Sequence, residues 1–329
     1  MNDVTLKKMS EILGLSISTV SRALKHHPDI SAETKKRVWE LANMMEYDPN
    51  TYAINLRTKN SRTLGAIIPS ISNYFYDSFI ASLEEESRNH DYSLLILQSR
   101  DNPEIEQSNL YLCKHYRVAG LFVAVTPETN DISNFIKISQ NNCPVIFVDK
   151  VPFNDNVHKI CMADKEAAIL AAEALSKKNR KNILALFGNM KLSITQNRVN
   201  AFTGYFSNEP SVKLDIHEVK NYEEAYQLFM KKYAKKNKPD AVFCMSDEIL
   251  LGVMKGVQTL KIKIPEQLSI IAISNGNIPH LYFPEITYVE TSGYKLGKLA
   301  FNRMMSCIAG DSFIQNVKVD ALLVQGNSL

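Results

Sequence analysis

Two short amphipathic segments meet at Gly14 near the start of the chain, and no other feature of the sequence constrains the fold as strongly. A hydroxyl residue precedes each segment, Thr5 for the first and Ser16 for the second, where the first free amides of a helix need an acceptor. The small Ser10 and the apolar Val20 stand at a spacing that lets two helices cross closely. The pattern predicts a helix-turn-helix, in which the second helix enters the major groove of duplex DNA.

The next stretch predicts a third helix followed by a segment whose order depends on a partner. Ser31 can cap this helix and Glu33 complements its dipole. Four apolar residues then repeat at intervals of three and four: Val38, Leu41, Ala42 and Met45. Residues 51–58 are compatible with a helix of only about two turns, which is marginal in water when isolated. We therefore expect this segment to be helical only when something holds it.

Positive charge is concentrated at the N-terminal end of the chain. Residues 1–62 contain ten Lys and Arg against seven acids, and their net charge of +3 equals that of the whole chain, so the remaining residues balance to zero. A basic end that coincides with a helix-turn-helix pattern favours a polyanionic partner. A merely solvated basic face is the alternative that charge alone leaves open.

The sequence argues against several other classes of protein. No run of about 18 apolar residues could span a bilayer, and the polar N-terminus lacks the apolar segment of a signal peptide, so we expect a cytoplasmic protein without membrane contact. The five cysteines are far apart and form no C-x-x-C pair, which indicates small buried side chains rather than disulfides or a zinc site. No G-x-G-x-x-G after a strand and no P-loop motif occurs, so neither a cofactor nor a metal is predicted.

From Thr63 onward, short apolar strands alternate with helical stretches. At 329 residues and 45% hydrophobic content, the chain is long enough for two or three folded units. Apolar strands joined by helices are typical of parallel sheets covered on both faces, and there are enough units for two sheets. The predicted strands are 64–69, 92–97, 120–125, 145–148, 183–187, 241–245 and 268–273. The predicted helices between them include 79–90, 166–178, 198–206, 223–235 and 250–260.

Motifs in the head and in the later part of the chain match those of one known family. The head motifs are Thr5-Leu6, Gly14-Leu15-Ser16, Thr19-Val20-Ser21-Arg22 and Tyr47-Asp48-Pro49-Asn50. The downstream motifs, individually weaker, are at 246–254, 264–270 and 284–289. Together they resemble the lactose-repressor (LacI/GalR) family of bacterial transcription regulators, and the resemblance covers essentially the whole chain.

The resemblance implies an all-α headpiece joined to an α/β core. The helix-turn-helix headpiece would occupy residues 1–49, a hinge helix and linker would occupy 50–62, and the effector-binding core would occupy 63–329. The core would be periplasmic-binding-protein-like, with two lobes built on parallel sheets, three crossovers and a ligand cleft between the lobes.

The same analogy assigns the lobes and the oligomeric state. The N-lobe would span about 63–161 and 292–321, and the C-lobe about 162–291 and 322–329. The chain ends at Leu329 without the appended helix that some relatives use to form tetramers. We therefore expect a homodimer, and its two-fold symmetry predicts a pseudo-palindromic operator.

The family also implies how the headpiece would bind double-stranded operator DNA. Ile17, Ser18 and Arg22 stand where the second helix meets base edges, and Arg22 could pair bidentately with guanine, which is worth about 1–3 kcal/mol of discrimination. A contact of Arg22 with phosphate alone is the alternative. Contacts that position the backbone are expected from Thr5, Ser16, Thr19, Ser21 and Asn50.

Hinge residues would act in the minor groove. In the family, a leucine of the paired hinge helices opens a central base step, and Leu56 matches that leucine. Packing of one hinge helix on its mate is the alternative role for Leu56, and the two roles are compatible. Ala53 is small enough to let the two chains approach closely. Relatives often carry arginine where this chain has Ile54, so the charged contact expected there is lacking.

Effectors in such cores lie beyond the carboxyl ends of the strands. The loop after the first strand offers Ser72, Asn73 and Phe75, whose polar groups and ring suit a sugar. Arg198 and Asp247 match family ligand positions. Arg198 would hold hydroxyl groups or a carboxylate, and Asp247 would accept hydrogen bonds from vicinal hydroxyl groups. The other predicted contacts are Asp149, Phe202 and Asn275, and weaker candidates are Ser99, Arg100, Thr126 and Asn189.

Structural roles are the alternatives for three of these residues, and departures from the family bear on the ligand. Arg198 could form a surface ion pair, Asp247 could cap a helix, and Asp149 could orient a crossover. Residues 273–276 supply no carboxylate where many sugar-binding relatives have an aspartate pair, and Thr291 replaces a frequent glutamine. With Arg198 retained, the pattern favours an anionic sugar or sugar phosphate over a neutral sugar.

The resemblance predicts a sequence-specific transcriptional regulator, most simply a repressor, whose operator affinity is controlled by a small sugar-like effector. Because the hinge is marginal, a change in lobe geometry could separate the paired hinge segments; release and tightening of DNA are both permitted. The alternatives are an enzyme or a solute-binding protein of transport on the same core. No nucleophile–base pairing is visible for the first, and the second would need export.

Overall fold

The computed structural model describes residues 5–47, 61–207 and 209–329, which belong to two compact units that divide between Asn60 and Ser61. In its described part, the headpiece unit contains three helices: α1 (Leu6–Leu13), α2 (Ile17–Leu24) and α3 (Ala32–Met44). The core unit contains two six-stranded sheets and eight further α-helices within the same described ranges.

Local sequence accounts for the helix boundaries in the headpiece. Thr5, Ser16 and Ser31 cap the three helices, and each side chain accepts a hydrogen bond from the amide three residues later at 3.1–3.3 Å. Gly14 ends α1 in the left-handed conformation with φ of 65°, which glycine adopts at little cost. The buried core consists of Met9, Val20, Ala23, Val38 and Ala42. The predicted helix-turn-helix and the third helix are thereby confirmed.

The strands and helices of the core alternate along most of its length. The strands are β1 (Thr63–Ile68), β2 (Ser93–Gln98), β3 (Gly120–Val123), β4 (Val145–Val148), β5 (His158–Met162), β6 (Asn182–Phe187), β7 (Lys213–Glu218), β8 (Ala241–Cys244), β9 (Ser269–Ser274), β10 (Thr287–Glu290), β11 (Asn316–Val319) and β12 (Leu322–Val324). The helices are α4 (Tyr74–Asn89), α5 (Pro103–His115), α6 (Ser133–Ser139), α7 (Asp164–Ser176), α8 (Ser193–Phe206), α9 (Tyr222–Tyr233), α10 (Asp247–Leu260) and α11 (Gly293–Ile308), with a short 3-10 helix at Pro279–Leu281.

The order of the strands defines two lobes. The N-lobe sheet has the order β11-β5-β4-β3-β1-β2 and is parallel throughout. The C-lobe sheet has the order β12-β10-β9-β8-β6-β7 and is parallel except where β12 runs antiparallel to β10. The chain crosses between the sheets after β5, after β10 and after β11. The two-lobed α/β prediction is confirmed, with one antiparallel edge strand that the sequence analysis did not foresee.

Each predicted strand and helix of the core is present, with boundaries shifted by a few residues. Five strands and three helices were not predicted from the sequence: β5, β7, β10, β11 and β12, and α5, α6 and α11. Strand β7 is a half-exposed edge strand, so its sequence KLDIHE contains no apolar run. In the described ranges, no helix has both the length and the apolar character that a membrane span requires.

Candidate DNA-recognition helix and effector cleft

The second helix of the headpiece presents an exposed face. Ile17 is 46% exposed, and Ser18 and Arg22 are exposed beside it. The hydroxyl of Ser16 lies 2.7 Å from that of Ser18 and 2.8 Å from that of Thr19, so the start of the helix is linked by side-chain hydrogen bonds. Because the opposite side of α2 packs into the headpiece core, these side chains face outward together. This arrangement suits a helix that lies in a DNA groove.

Arg22 is only lightly held in the absence of DNA. Its Nη1 lies 3.8 Å from Oδ2 of Asp29, and both side chains are more than half exposed. An exposed pair of this kind contributes about 0–1 kcal/mol, so the guanidinium can turn toward a base or a phosphate. Thr5 is exposed, whereas Ser21 is only 8% exposed and offers little surface for a DNA contact. Three predicted DNA contacts lie outside the described residues: Asn50, Ala53 and Leu56.

Between the two lobes lies a cavity of about 430 Å³, lined by residues that follow strands of both sheets. Six of the eight residues singled out as effector contacts line it: Asn73, Phe75, Asp149, Arg198, Asp247 and Asn275. Ser72 is exposed but lies outside this lining. Phe202 is fully buried and stacks on Phe243 with ring centroids 4.5 Å apart, so its assignment is corrected to a core contact of the C-lobe. Among the weaker candidates, only Asn189 lines the cavity.

A buried ion pair holds Arg198 at the wall of the cleft. Its Nε and Nη2 lie 2.9 and 2.8 Å from Oδ1 of Asp164, and its Nη1 donates to the Met245 carbonyl at 2.9 Å. Both charged side chains are 5% exposed. Burial raises the pKa of Asp164 to about 6, and Arg198 opposes this rise. Asp164 begins α7 directly after the first crossover and was not among the residues predicted from the sequence.

Carboxylates outnumber cations in the cleft. Its ionisable lining consists of Asp101, Glu128, Asp149, Asp247 and Glu248 against Lys150, Arg198 and Lys220. Lys150 pairs with Asp101 at 2.8 Å, Lys191 pairs with Glu128 at 2.7 Å, and Arg198 pairs with Asp164, so among the lining residues that the structure describes Lys220 is left against Asp149, Asp247 and Glu248. An anion would enter this cleft against the prevailing charge. The charges of the lining therefore argue against the anionic ligand that the sequence favoured, which stays a prediction.

Asp247 organises the loop that follows β9. Its Oδ1 accepts a short hydrogen bond from the Ser274 hydroxyl, and its Oδ2 accepts one from the Asn275 amide at 3.0 Å. Burial raises the pKa of Asp247, and these two hydrogen bonds oppose the rise. Ser246, not Asp247, is the residue whose side chain caps α10. Asp247 is 7% exposed, so its main visible role is to hold a loop that faces the cleft.

Two asparagine side chains join the lobes beside the cleft. Asn275 of the C-lobe accepts from the Ser78 hydroxyl at 3.1 Å and from the first amide of α11 at 2.9 Å, and it donates to the Tyr74 carbonyl at 3.3 Å. Asn73 of the N-lobe caps α4 with its oxygen and donates to Glu248 at 3.1 Å. Both amides are therefore occupied by lobe-to-lobe contacts, which a ligand must preserve or replace.

Asp149 is fixed at the end of β4 by a buried hydrogen bond. The Tyr76 hydroxyl donates to its Oδ2 at 2.6 Å, and burial raises the pKa of both groups. The backbone of Asp149 is left-handed, with φ of 57°. The bond between Tyr76 and Asp149 was not predicted, because a single buried tyrosine on a helix carries no sequence signal of its partner.

Comparison with known proteins agrees with this architecture. Residues 5–50 match the model of the "Bacterial regulatory proteins, lacI family", and residues 61–326 match that of the "Periplasmic binding proteins and sugar binding domain of LacI family". The chain is 27% identical to Catabolite control protein A of Staphylococcus epidermidis, over 96% of this chain and 95% of that protein. It is 24% identical to the HTH-type transcriptional repressor PurR of Histophilus somni, over 93% and 92% of the two chains.

Solved structures show the same fold. The lac repressor dimer bound to operator and the anti-inducer ONPF superposes with a TM-score of 0.88 at 20% identity, over 99% of each chain. A LacI transcriptional regulator from Alkaliphilus metalliredigens, complexed with D-xylulofuranose, superposes with a TM-score of 0.72 at 21% identity, over 82% of this chain and 99% of that one.

The headpiece and the cleft-bearing core together define a DNA-binding transcriptional regulator with an effector-binding domain. The chain belongs to the LacI family of bacterial regulatory proteins. The family predicted from the sequence is thereby confirmed. Its relatives are regulators of transcription rather than enzymes, which confirms the prediction that the chain is not an enzyme.

Proposed function

We propose that the chain acts in the cytoplasm as a homodimeric repressor that binds a pseudo-palindromic operator and responds to an uncharged, sugar-like effector in the cleft. Under this proposal residues 1–49 read the DNA, 50–62 form the conditional hinge, and 63–329 bind the effector. The observation that carries it is the joint presence of an outward-facing recognition helix and a polar cleft shared by two lobes.

The effector class is argued from the charges and donors in the cleft. Two of three cations are paired, and the carboxylates and amides present acceptors and donors suited to hydroxyl groups. Tyr74 and Phe75 offer rings on which an apolar sugar face can pack. The sugar bound in the structure of the Alkaliphilus relative supports a ligand of this kind.

Titration of the DNA complex tests the effector part. Neutral pentoses and hexoses, and the corresponding sugar phosphates, are added to the full-length chain on DNA that it retains from a mixed pool, and dissociation is followed by fluorescence anisotropy. We expect at least one neutral sugar to change DNA affinity. Asn189→Ala alters the cleft lining, so we expect it to weaken that response. A response to sugar phosphates alone would contradict the proposed ligand class.

A further inference from the structure

One end of the C-lobe carries a concentrated positive charge. The four segments 173–182, 209–215, 231–240 and 261–267 lie at the start of β6, β7, β8 and β9; they include the first residues of β6 and β7 and the last residues of α7 and α9. We call them the basic face. They contain twelve Lys and Arg against five acids, whereas the rest of the core from residue 63 onward contains 16 against 23. The balanced charge of the core therefore conceals a strongly basic end.

Hydrogen bonds hold the basic face together at one edge of the sheet. The Asp240 carboxylate accepts from the Lys181 amide at 2.9 Å, and the Lys213 amide donates to the Lys181 carbonyl at 2.7 Å. Arg180 donates to the Pro265 carbonyl at 2.7 Å. Because the four segments precede parallel strands, they share the edge opposite the carboxyl ends that line the cleft. The basic face is thus a continuous surface held by hydrogen bonds, at the opposite end of the strands from the effector site.

Four of the five acids of the basic face accept hydrogen bonds or form ion pairs, whereas most of its lysines have no carboxylate partner among the described residues. Asp215 pairs with Lys232 at 2.7 Å and Glu173 pairs with Lys177 at 3.0 Å, while Asp240 accepts backbone amides. Nine exposed lysines, spread over all four segments, have no carboxylate within 4.0 Å in the described part of the chain. The surface therefore presents separated positive charges that a polyanion can neutralise.

The composition of the face favours a nucleic-acid backbone over a folded protein. No large apolar residue of the four segments is among the exposed ones of the described chain, yet protein interfaces centre on such anchors and are depleted in lysine. Lysine ammonium groups act as point charges on phosphates and need no fixed fork geometry. Arg180, the arginine of the face, is occupied by its structural bonds to Ser269 and Pro265.

We propose that the basic face binds the phosphodiester backbone of nucleic acid without sequence preference, as a contact separate from the headpiece. The headpiece then supplies sequence selection, and the basic face supplies salt-dependent affinity. Binding of this kind releases counterions, so each phosphate contact contributes about 0.9 to the slope of log Kobs against log salt concentration on duplex DNA.

A matched pair of lysine variants of the full-length chain tests the proposal. The first replaces one exposed lysine from each of three segments, Lys178→Ala, Lys236→Ala and Lys263→Ala. The control replaces three exposed lysines of the N-lobe, Lys114, Lys137 and Lys318, so that both variants lose the same charge. Binding of a labelled random-sequence duplex is measured by anisotropy over a range of salt concentrations. The negative slope of log Kobs against log salt concentration should be smaller in magnitude by up to about 2.7 in the first variant than in the control.

The outcomes separate the possible partners. An equal reduction of the salt slope on duplex DNA and on single-stranded RNA of the same length supports recognition of the phosphodiester backbone. A reduction on duplex DNA alone restricts the partner to duplex nucleic acid. A slope equal to that of the control overturns the proposal. A variant that loses polyglutamate binding but keeps DNA binding also overturns it, in favour of an acidic protein. Sequence selection is read separately with Arg22→Ala, so failure of the headpiece assignment is distinguishable.

Discussion

Arg22 offers the most specific chemistry on the exposed face of α2. Its planar fork presents two donors in a fixed geometry that matches guanine, whereas the flexible ammonium of lysine donates without that fixed geometry. We expect Arg22→Ala to reduce discrimination between the selected site and a site with one guanine replaced by about 1–3 kcal/mol, and Arg22→Lys to restore affinity but not discrimination. Competition binding with the two duplexes measures this difference. An equal loss on every duplex would show that Arg22 contacts phosphate only.

Asp164 predicts a pH dependence of stability. Burial raises its pKa from 3.8 to about 6, so the folded chain holds this proton more tightly than the unfolded chain between those values. The contribution of Asp164 to the free energy of unfolding is therefore largest at low pH and falls as pH rises through about 6. We expect chemical denaturation to show the stability of Asp164→Asn gaining on wild type from pH 4.5 to 7.

The opposite trend would mean that the pair with Arg198 outweighs the cost of burial. In that case the variant would lose stability relative to wild type as the carboxylate ionises. Arg180→Lys, a change in a structural arginine away from the cleft, controls for general effects of pH on variants of the C-lobe.

Sequence reasoning located several cleft residues but not what they do. The resemblance pointed to Arg198 and Asp247, and both line the cleft. Their hydrogen-bond partners, Asp164 and the loop at Ser274, are 34 and 27 residues away along the chain, so no local pattern reveals them. Phe202 was misjudged because the face of a helix that turns inward depends on the packing of the whole lobe.

The start of α4 is the element through which the lobes contact each other beside the cleft. Asn275 both accepts and donates there, and aspartate cannot donate to the Tyr74 carbonyl. We expect Asn275→Asp to weaken the contact by about 1 kcal/mol or more and to raise hydrogen exchange of the first amides of α4. Mass spectrometry of exchange measures this effect in the ligand-free chain.

Two further variants serve as comparisons for the hydrogen exchange of Asn275→Asp. Ser78→Ala removes one of the hydrogen bonds of Asn275 and should give a smaller rise in exchange. Asn189→Ala changes a cleft asparagine whose side chain accepts from the nearby Lys191 amide, so α4 should be unaffected. Unchanged exchange in Asn275→Asp would contradict the bridging role.

Buried strands and helices were predicted from the sequence more often than exposed ones. Strands such as β1, β4 and β8 are buried and apolar, so their runs are visible in the sequence. Strand β7 is an edge strand in which polar and apolar residues alternate, a signal that a prediction based on apolar runs does not use. Helix α11 does carry a stripe at Leu296, Ala300 and Met304, which periodicity could have found.

At the scale of the whole molecule, we expect the proposed homodimer to cover an exposed apolar pair of the C-lobe. Leu281 is 75% exposed and Phe283 is 100% exposed, next to the 3-10 helix. Exposed apolar patches of this kind mark association surfaces. We expect Phe283→Asp to shift the chain toward monomer in sedimentation velocity and to weaken binding to a two-fold-symmetric site.

Phe153→Asp is the matched control, because Phe153 is also a strongly exposed phenylalanine, 68% exposed, but lies in the N-lobe. It should leave the sedimentation coefficient unchanged. A Phe283→Asp chain that remains dimeric at the same concentration would exclude this patch from the interface.

Selection of DNA from a random pool tests the central claim most directly, because the exposed face of α2 is the basis of the functional assignment. The full-length chain is incubated with random duplexes at physiological salt, and the retained fragments are sequenced. We expect enrichment of an inverted repeat with a guanine in each half-site, and loss of the preference for that guanine in Arg22→Ala. A retained pool as random as the input would contradict the account.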